Sequence, residues 1–410
     1  MKAVCSNKAI LTSKPLLGLF HFILRSWMKV KFRTQMERIR PAAKPCIVLC
    51  NHTSNYDPIL LGVNFPDLLY FVASDHLFRL GLASRLLVAL AAPIPRLKSS
   101  TDVQTAKQIL SKLREGGSVG LFAEGNNTFS GVTGEIPEST GKLVKRSGVS
   151  LITYRIDGAY FSNPRWGKRC RKGKVTGRVV GEYSPDQLAQ LSVEEINRRI
   201  QQDLFVDAYE EQKQRKQQFT GGDLAEYLEL ALYLCPSCGR IDTMHSKENL
   251  FSCSKCGLDL FYDAHGFLRA TDGTAFPMDT VRDWFRWQKE ELAQQIHRRI
   301  QEEPDLPLFS DTGQTLYRID KANIVQRIGT GSLQFKSDHL VLIEDRAGEK
   351  AKKITFSLSD IKDMSIYEKM VLIFTTGDHE TYEVKSDHFR NAVKYLDAYR
   401  ELTLSPAVLQ

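Results

Sequence analysis

The chain has 410 residues, 42% of them hydrophobic and 25% charged, with a formal net charge of +8. That length exceeds what one ordinary core supports, so two or three domains are expected, and the composition excludes a disordered or fibrous chain. The mild positive charge suits an anionic lipid surface and a nucleic acid equally, and selects neither.

In chain order, the first apolar run is Leu16 to Leu24, interrupted by His21 and followed by Arg25, Lys29, Lys31 and Arg33. It is far shorter than the roughly 20 residues needed to span a bilayer. A cleaved leader carries its positive charge before the apolar stretch, and here the order is reversed. The segment therefore reads as a retained amphipathic helix, either packed on its own domain or lying on a membrane. Cys46 to Cys50 and Leu69 to Ala73 read as short buried strands, and Leu77 to Ala92 as an interfacial or core helix interrupted by Arg79 and Arg85. Val103, Ala106, Ile109, Leu110 and Leu113 recur at helical spacing up to Gly116-Gly117. Strands are expected again at 118–123 and 151–156, with an edge strand at 175–180. Such alternation argues an α/β sheet with helices on its faces.

Chemistry concentrates at two places in that sheet. The apolar run ending at Cys50 leads into Asn51-His52-Thr53-Ser54-Asn55-Tyr56-Asp57-Pro58. A strand ending in a polar turn is where an α/β sheet displays reactive groups. One turn of chain between His52 and Asp57 lets the carboxylate hold the imidazole in one tautomer while the ring takes a proton. The second place is Phe122-Ala123-Glu124-Gly125, a strand end followed by a turn. Asn51 to Asp57 resembles the Asn-His-x-Ser-x-x-Asp block of the glycerolipid acyltransferase family. Pro93-Ile94-Pro95-Arg96 resembles its second block and Phe122 to Gly125 its third, and the likeness covers about residues 40–185.

That family moves a fatty acyl group from coenzyme A or acyl carrier protein to a glycerolipid hydroxyl at a membrane. The resemblance therefore implies an O-acyltransferase with His52 as general base oriented by Asp57, and with Asn51, Ser54, Arg96, Glu124 and Gly125 at the acceptor site. The implied acceptor is a lysophospholipid, first 1-acylglycerol 3-phosphate, and the implied location is the cytoplasmic membrane face, held peripherally. The chain departs from the family at Asn126-Asn127, where Thr-Arg is usual. The missing arginine would have held the acceptor phosphate, a task suited to a bidentate guanidinium. Arg96, Lys142, Lys145 and Arg146 are alternative cations, and a different headgroup is the alternative acceptor. Backbone amides near His52 or Gly125 are the candidate oxyanion donors. The cations of Arg165 to Lys174 read as a basic loop facing an anionic lipid or the acyl donor's phosphates.

Beyond Thr220-Gly221-Gly222 the character changes. Cys235-Pro-Ser-Cys238-Gly and Cys253-Ser-Lys-Cys256-Gly are matched knuckles, a specific signal for a structural zinc ribbon with four thiolate ligands. No aromatic–basic interleaving surrounds them, which argues against nucleic acid as the partner. A tryptophan-bearing helix follows at 279–300, then strands including 340–343, 354–356 and 371–374, and a final amphipathic helix starting near Ser386-Asp387. This last region resembles a pleckstrin-homology-like barrel. The expected domains are an acyltransferase-type αβ domain at 1–219, a zinc ribbon at 220–265, a helical linker at 266–310 and a mostly-β domain at 311–410. A non-catalytic membrane-docking scaffold is the reading from another class.

Overall fold

The structure is a computed structural model describing residues 13–74, 92–96, 102–320, 324–344 and 351–404. The expected helix over 77–92 lies outside the described residues apart from Ala92. The chain divides into two compact units, Met1–Leu224 with Ala264–Gly266, and Ala225–Asp263 with Phe267–Gln410.

The first unit contains α1 (Lys14–Phe32), β1 (Gln35–Met36), β2 (Cys46–Cys50), α2 (Asp57–Gly62), β3 (Tyr70–Ser74), β4 (Ile94–Arg96), α3 (Asp102–Arg114) and β5 (Val119–Leu121). It continues through α4 (Ser139–Ser147), β6 (Ser150–Asp157), α5 (Ala159–Ser162), β7 (Thr176–Tyr183), α6 (Pro185–Gln190), α7 (Val193–Leu204) and α8 (Ala208–Arg215). The seven strands form one sheet in the order β1-β7-β6-β2-β5-β3-β4. Pairing around β2 is parallel, to β5 on one side and β6 on the other, and β7 alone runs antiparallel to β6. The expected edge strand β7 is flanked by the two-residue β1, so it lies one position inside the edge.

Alternation along β2 explains its central place. Cys46, Val48 and Cys50 face one side with Ile152, Tyr154 and Ile156 of β6, packed on Met28 and Phe32 of α1 and Leu60 and Leu61 of α2. Ile47 and Leu49 face the other side, against Ile109 and Leu113 of α3, Val144 of α4 and Ile196, Ile200 and Leu204 of α7. All five β2 residues are buried, as a strand covered on both faces requires. Burying each Val or Leu here stabilises the fold by about 1.5–3 kcal/mol. The result fixes β2 and β5 side by side, with their carboxyl ends at one sheet edge.

The second unit holds β8 (Met244–Lys247), β9 (Leu250–Cys253), β10 (Asp259–Tyr262) and β11 (Leu268–Ala270) in a four-stranded antiparallel sheet. Helix α9 (Val281–Glu302) follows, then β12 (Phe309–Ile319), β13 (Val325–Phe335), β14 (His339–Glu344), β15 (Lys353–Ser357), β16 (Ile361–Tyr367), β17 (Val371–Thr376), β18 (Thr381–Ser386) and α10 (Val393–Leu404). The seven later strands form a β-rich region ordered β15-β14-β13-β12-β18-β17-β16, with the final helix on its core. Tyr395 of α10 packs on Phe309 and Phe335, and Tyr399 Oη donates to Ile361 O at 2.8 Å.

Buried polar contacts bind this unit together. Trp284 Nε1 of α9 donates to Leu234 O at 2.9 Å, and Gln288 bridges the backbone of Tyr233 and Ala231. Lys394, only 1% exposed, reaches Asp242 between the cysteine knuckles and Asp311 of β12. Two carboxylates around one buried ammonium satisfy a charge that would otherwise be costly. Helix α10 starts later than its sequence suggests. Ser386 still belongs to β18 and Asp387 N–H donates to Gly313 O, so the chain remains in the ladder there. The cap is Asn391, whose side chain accepts from Lys394 N–H at 3.0 Å.

Candidate active site

Asp57 begins α2 with Pro58 just inside it, a residue whose fixed φ suits a helix start. This turns the chain back after β2, and His52 Nδ1 comes to 3.0 Å from Asp57 Oδ2. The same oxygen accepts the backbone N–H groups of Thr53 at 2.7 Å and Ser54 at 2.8 Å. A carboxylate only accepts hydrogen bonds, so Nδ1 carries the proton and the Nε2 lone pair is the basic site. Asp57 is fully buried and His52 partly exposed, so the imidazole is reachable from solvent while the carboxylate is not. The imidazole stacks on Phe122 with centroids 4.4 Å apart.

The backbone of His52 is held from the neighbouring strand end. Its N–H donates to Glu124 Oε1 at 2.6 Å, and its C=O accepts from Thr128 N–H at 3.2 Å. The second Glu124 oxygen accepts Gly134 N–H at 2.6 Å. Glu124 thus clamps two loops through backbone amides, while Gly125 adopts φ +76° to close the turn after β5. Burial pushes the Glu124 carboxyl up to about 8, aided by the nearby Asp57 charge and opposed by the two backbone N–H groups. The folded chain therefore holds that proton more tightly than the unfolded chain, whose ordinary value is 4.5. The stability from this group is complete below about pH 4.5 and is lost as pH rises through about 8. We predict that Glu124→Gln flattens this fall in melting temperature between pH 5 and 8. It also removes one acceptor and lowers catalytic turnover about tenfold or more. An unchanged pH–stability profile would show that Glu124 is not the titrating group.

Other residues named from sequence divide between scaffold and site. Asn51 is buried, and its amide donates to Ile156 O at 2.9 Å and accepts from Ile156 N–H at 2.8 Å. Its side chain is thus spent joining β2 to the end of β6. Ser54 is buried too, its Oγ accepting from Tyr56 N–H at 3.0 Å. The structure describes Arg96 only through its backbone, at the end of β4. The amide N–H groups of His52 and Gly125, candidates for oxyanion stabilisation, are already donated to Glu124 and Phe122 O. Lys145 and Arg146 lie in the last turn of α4, where β6 begins, whereas His52 follows the opposite end of the parallel strand β2. They are therefore at the far sheet edge, and Lys145 donates to Leu191 O at 2.6 Å.

The basic segment differs from a solvated loop. Arg165 and Arg171 are buried, as is Trp166. Arg165 donates to Asn127 O at 2.9 Å and lies over the Phe129 ring. Arg165 braces the loop that follows Glu124 and Arg171 lies over the Trp166 ring, while Lys168, Arg169, Lys172 and Lys174 stay exposed. Asn127 itself donates to Asn55 Oδ1 at 3.1 Å. What sequence reasoning missed is this cross-loop bracing, together with Tyr56 and Lys31, which meet at 2.8 Å.

In the second unit the sulfurs of Cys235, Cys238, Cys253 and Cys256 all lie within 4.8 Å of one another. Cys235 and Cys256 are 3.6 Å apart, and Cys238 and Cys253 3.8 Å. Tetrahedral zinc at about 2.3 Å from each sulfur needs about 3.8 Å between them, so the cluster fits that metal. Gly239 and Gly257, at φ +67° and +75°, turn the two knuckles.

Residues 30–157 match the family model described as Acyltransferase, the class to which the paired motifs point. Over 127 residues the chain is 23% identical to the 1-acyl-sn-glycerol-3-phosphate acyltransferase of Borreliella burgdorferi, a match covering 30% of this chain. It spans about half, 51%, of that relative's length. Among solved structures, the 1-acyl-sn-glycerophosphate (LPA) acyltransferase PlsC from Thermotoga maritima aligns with a TM-score of 0.40 and 20% identity. That alignment covers 49% of this chain and 80% of the other. Vav1 bound by an allosteric inhibitor aligns at 0.19 and 10% identity, over 32% and 42%. Over a segment, then, the chain resembles PlsC-like acyltransferases.

Proposed function

We propose that the protein is an O-acyltransferase that esterifies the free hydroxyl of a lysophospholipid, 1-acylglycerol 3-phosphate first among them, giving phosphatidic acid. The observation that carries this reading is the 3.0 Å contact between His52 Nδ1 and Asp57. His52 Nε2 removes the hydroxyl proton as the acceptor oxygen attacks the thioester carbonyl of an acyl-CoA or acyl-carrier-protein donor. The C–O bond forms, the C–S bond breaks, and the imidazolium returns the proton to the departing thiolate. Asp57 stabilises the imidazolium. The acceptor is itself the nucleophile, so no acyl-enzyme is needed. Backbone N–H groups of Asn126 and Asn127, with no hydrogen-bond partner among the described residues, are the remaining oxyanion donors near the site.

The reading extends to a peripheral site at the cytoplasmic membrane face. Leu16, Leu19, Ile23, Trp27 and Val30 line one side of α1 and are all exposed, Val30 by 72%. An apolar stripe with Arg25, Lys29 and Lys31 on the same helix suits an anionic bilayer surface. Among the described residues no helix is long and apolar enough to cross a membrane. In the second unit, zinc at the four cysteines is structural, since four thiolates leave no open position.

The test supplies purified full-length protein with labelled acyl-CoA, or acyl carrier protein, and a panel of lysolipids in vesicles. Label is expected in diacyl phospholipid, most rapidly with 1-acylglycerol 3-phosphate. Transfer to another headgroup first would favour the alternative acceptor, and none with any acceptor would favour a scaffold.

A further inference from the structure

Lys31 occupies an unusual place for a helix-end cation. Its Nζ lies 2.8 Å from Tyr56 Oη and over three aromatic rings, at 4.5 Å from Tyr56, 4.8 Å from Trp27 and 5.4 Å from Phe32. Among the described residues no carboxylate lies within ion-pair distance of it. Tyr56 stands between His52 and Asp57, so the ammonium sits against the loop that carries the proposed base. Rings around a cation attract it through their negative faces but leave its charge without a counter-ion.

Among the described side chains, which do not include that of Arg96, the opposite deficit exists on the acceptor side. A phosphate-bearing lipid reacting at His52 meets Asn126-Asn127 after Glu124-Gly125, and Asn127 is already bonded to Asn55. Arg165 reaches that loop through the Asn127 carbonyl from a buried position. Lys31 is half-exposed, four residues and one helical turn after Trp27, at the border of the exposed stripe formed by Leu19, Ile23, Trp27 and Val30. A lipid whose chain lies along that stripe would present its headgroup to Lys31.

We propose that Lys31, held by Tyr56, Trp27 and Phe32, is the specificity-determining cation for the phosphate monoester of the acceptor. This inference rests on the proposed acyl transfer. A single ammonium on a flexible stem gives a point-charge contact rather than a bidentate one, so selectivity for the phosphomonoester is electrostatic.

The experiment compares wild type, Lys31→Gln and Lys31→Arg, as full-length protein, with 1-acylglycerol 3-phosphate and with phosphate-free monoacylglycerol. Initial rates are measured with labelled acyl donor, and acceptor binding is measured separately without donor. Lys31→Gln is expected to raise KM and Kd for the phosphate acceptor by about tenfold to a hundredfold, leaving kcat within about twofold. Monoacylglycerol should show no change, and Lys31→Arg should restore most of the affinity. Equal loss with both acceptors would overturn the proposal, because it would mean that Lys31 only positions Tyr56 or seats the helix. Unchanged constants with both would overturn it too. If wild type transfers acyl to no acceptor, the function itself fails. The binding arm then still decides whether Lys31 selects the phosphate.

Discussion

Replacing His52 by alanine should reduce acyl transfer by at least about 10²–10⁴-fold, the range that a positioned general base supplies. The loss should appear in kcat, with acceptor KM little changed, because the role proposed for the ring is proton transfer rather than headgroup binding. Folding should survive, since His52 is partly exposed and its backbone bonds to Glu124 and Thr128 do not involve the ring. Asp57→Asn separates orientation from basicity. In a Ser-His-Asp triad the same exchange costs about 10⁴-fold through the wrong tautomer. Here the change also weakens a carboxylate that accepts from Thr53, Ser54 and His52 together. A lower melting temperature should accompany its lost activity. Steady-state kinetics with thermal unfolding of both variants checks this, and near-wild-type turnover by His52→Ala would reject the mechanism.

Removing the zinc proposed at the four cysteines should have the second large effect, confined to stability. Structural zinc in small ribbons carries about 10–16 kcal/mol of apparent binding energy, comparable to or larger than the 5–15 kcal/mol net stability of a domain. Cys235 is fully buried beside Leu234, whose carbonyl accepts Trp284 Nε1–H, so the knuckle is continuous with the core around α9. The double substitution Cys235→Ser with Cys238→Ser should lose one zinc per chain and unfold the ribbon. A strong chelator should do the same to wild type. Metal analysis and thermal unfolding read both. Full metal content in the double variant would place the ion elsewhere.

The parts legible from sequence were those in which chemistry is local. His52 and Asp57 lie five residues apart, and only one turn of chain is needed to bring them together. Each cysteine pair likewise carries its geometry in a CxxCG knuckle. The unbroken apolar run Cys46 to Cys50 announces a buried strand because both faces are apolar. Assignments faltered where local pattern competes with long-range pairing. The segment 386–387 looks like a helix cap, but the bond of Asp387 to Gly313 keeps it in the sheet. Arg165 and Arg171 look solvated by composition, yet tertiary packing buries them on aromatic rings.

By itself, then, the sequence determined the pairing of His52 with Asp57, the cysteine knuckles and the αβ character of the first half, because each is written in spacings of a few residues. Only the tertiary structure decided that Glu124 grips the backbone of His52, that Asn51 latches onto Ile156 and that Lys31 meets Tyr56. Those partners are 72, 105 and 25 residues apart. Their meeting depends on which strands become neighbours and which helix covers them, and no local period encodes that choice.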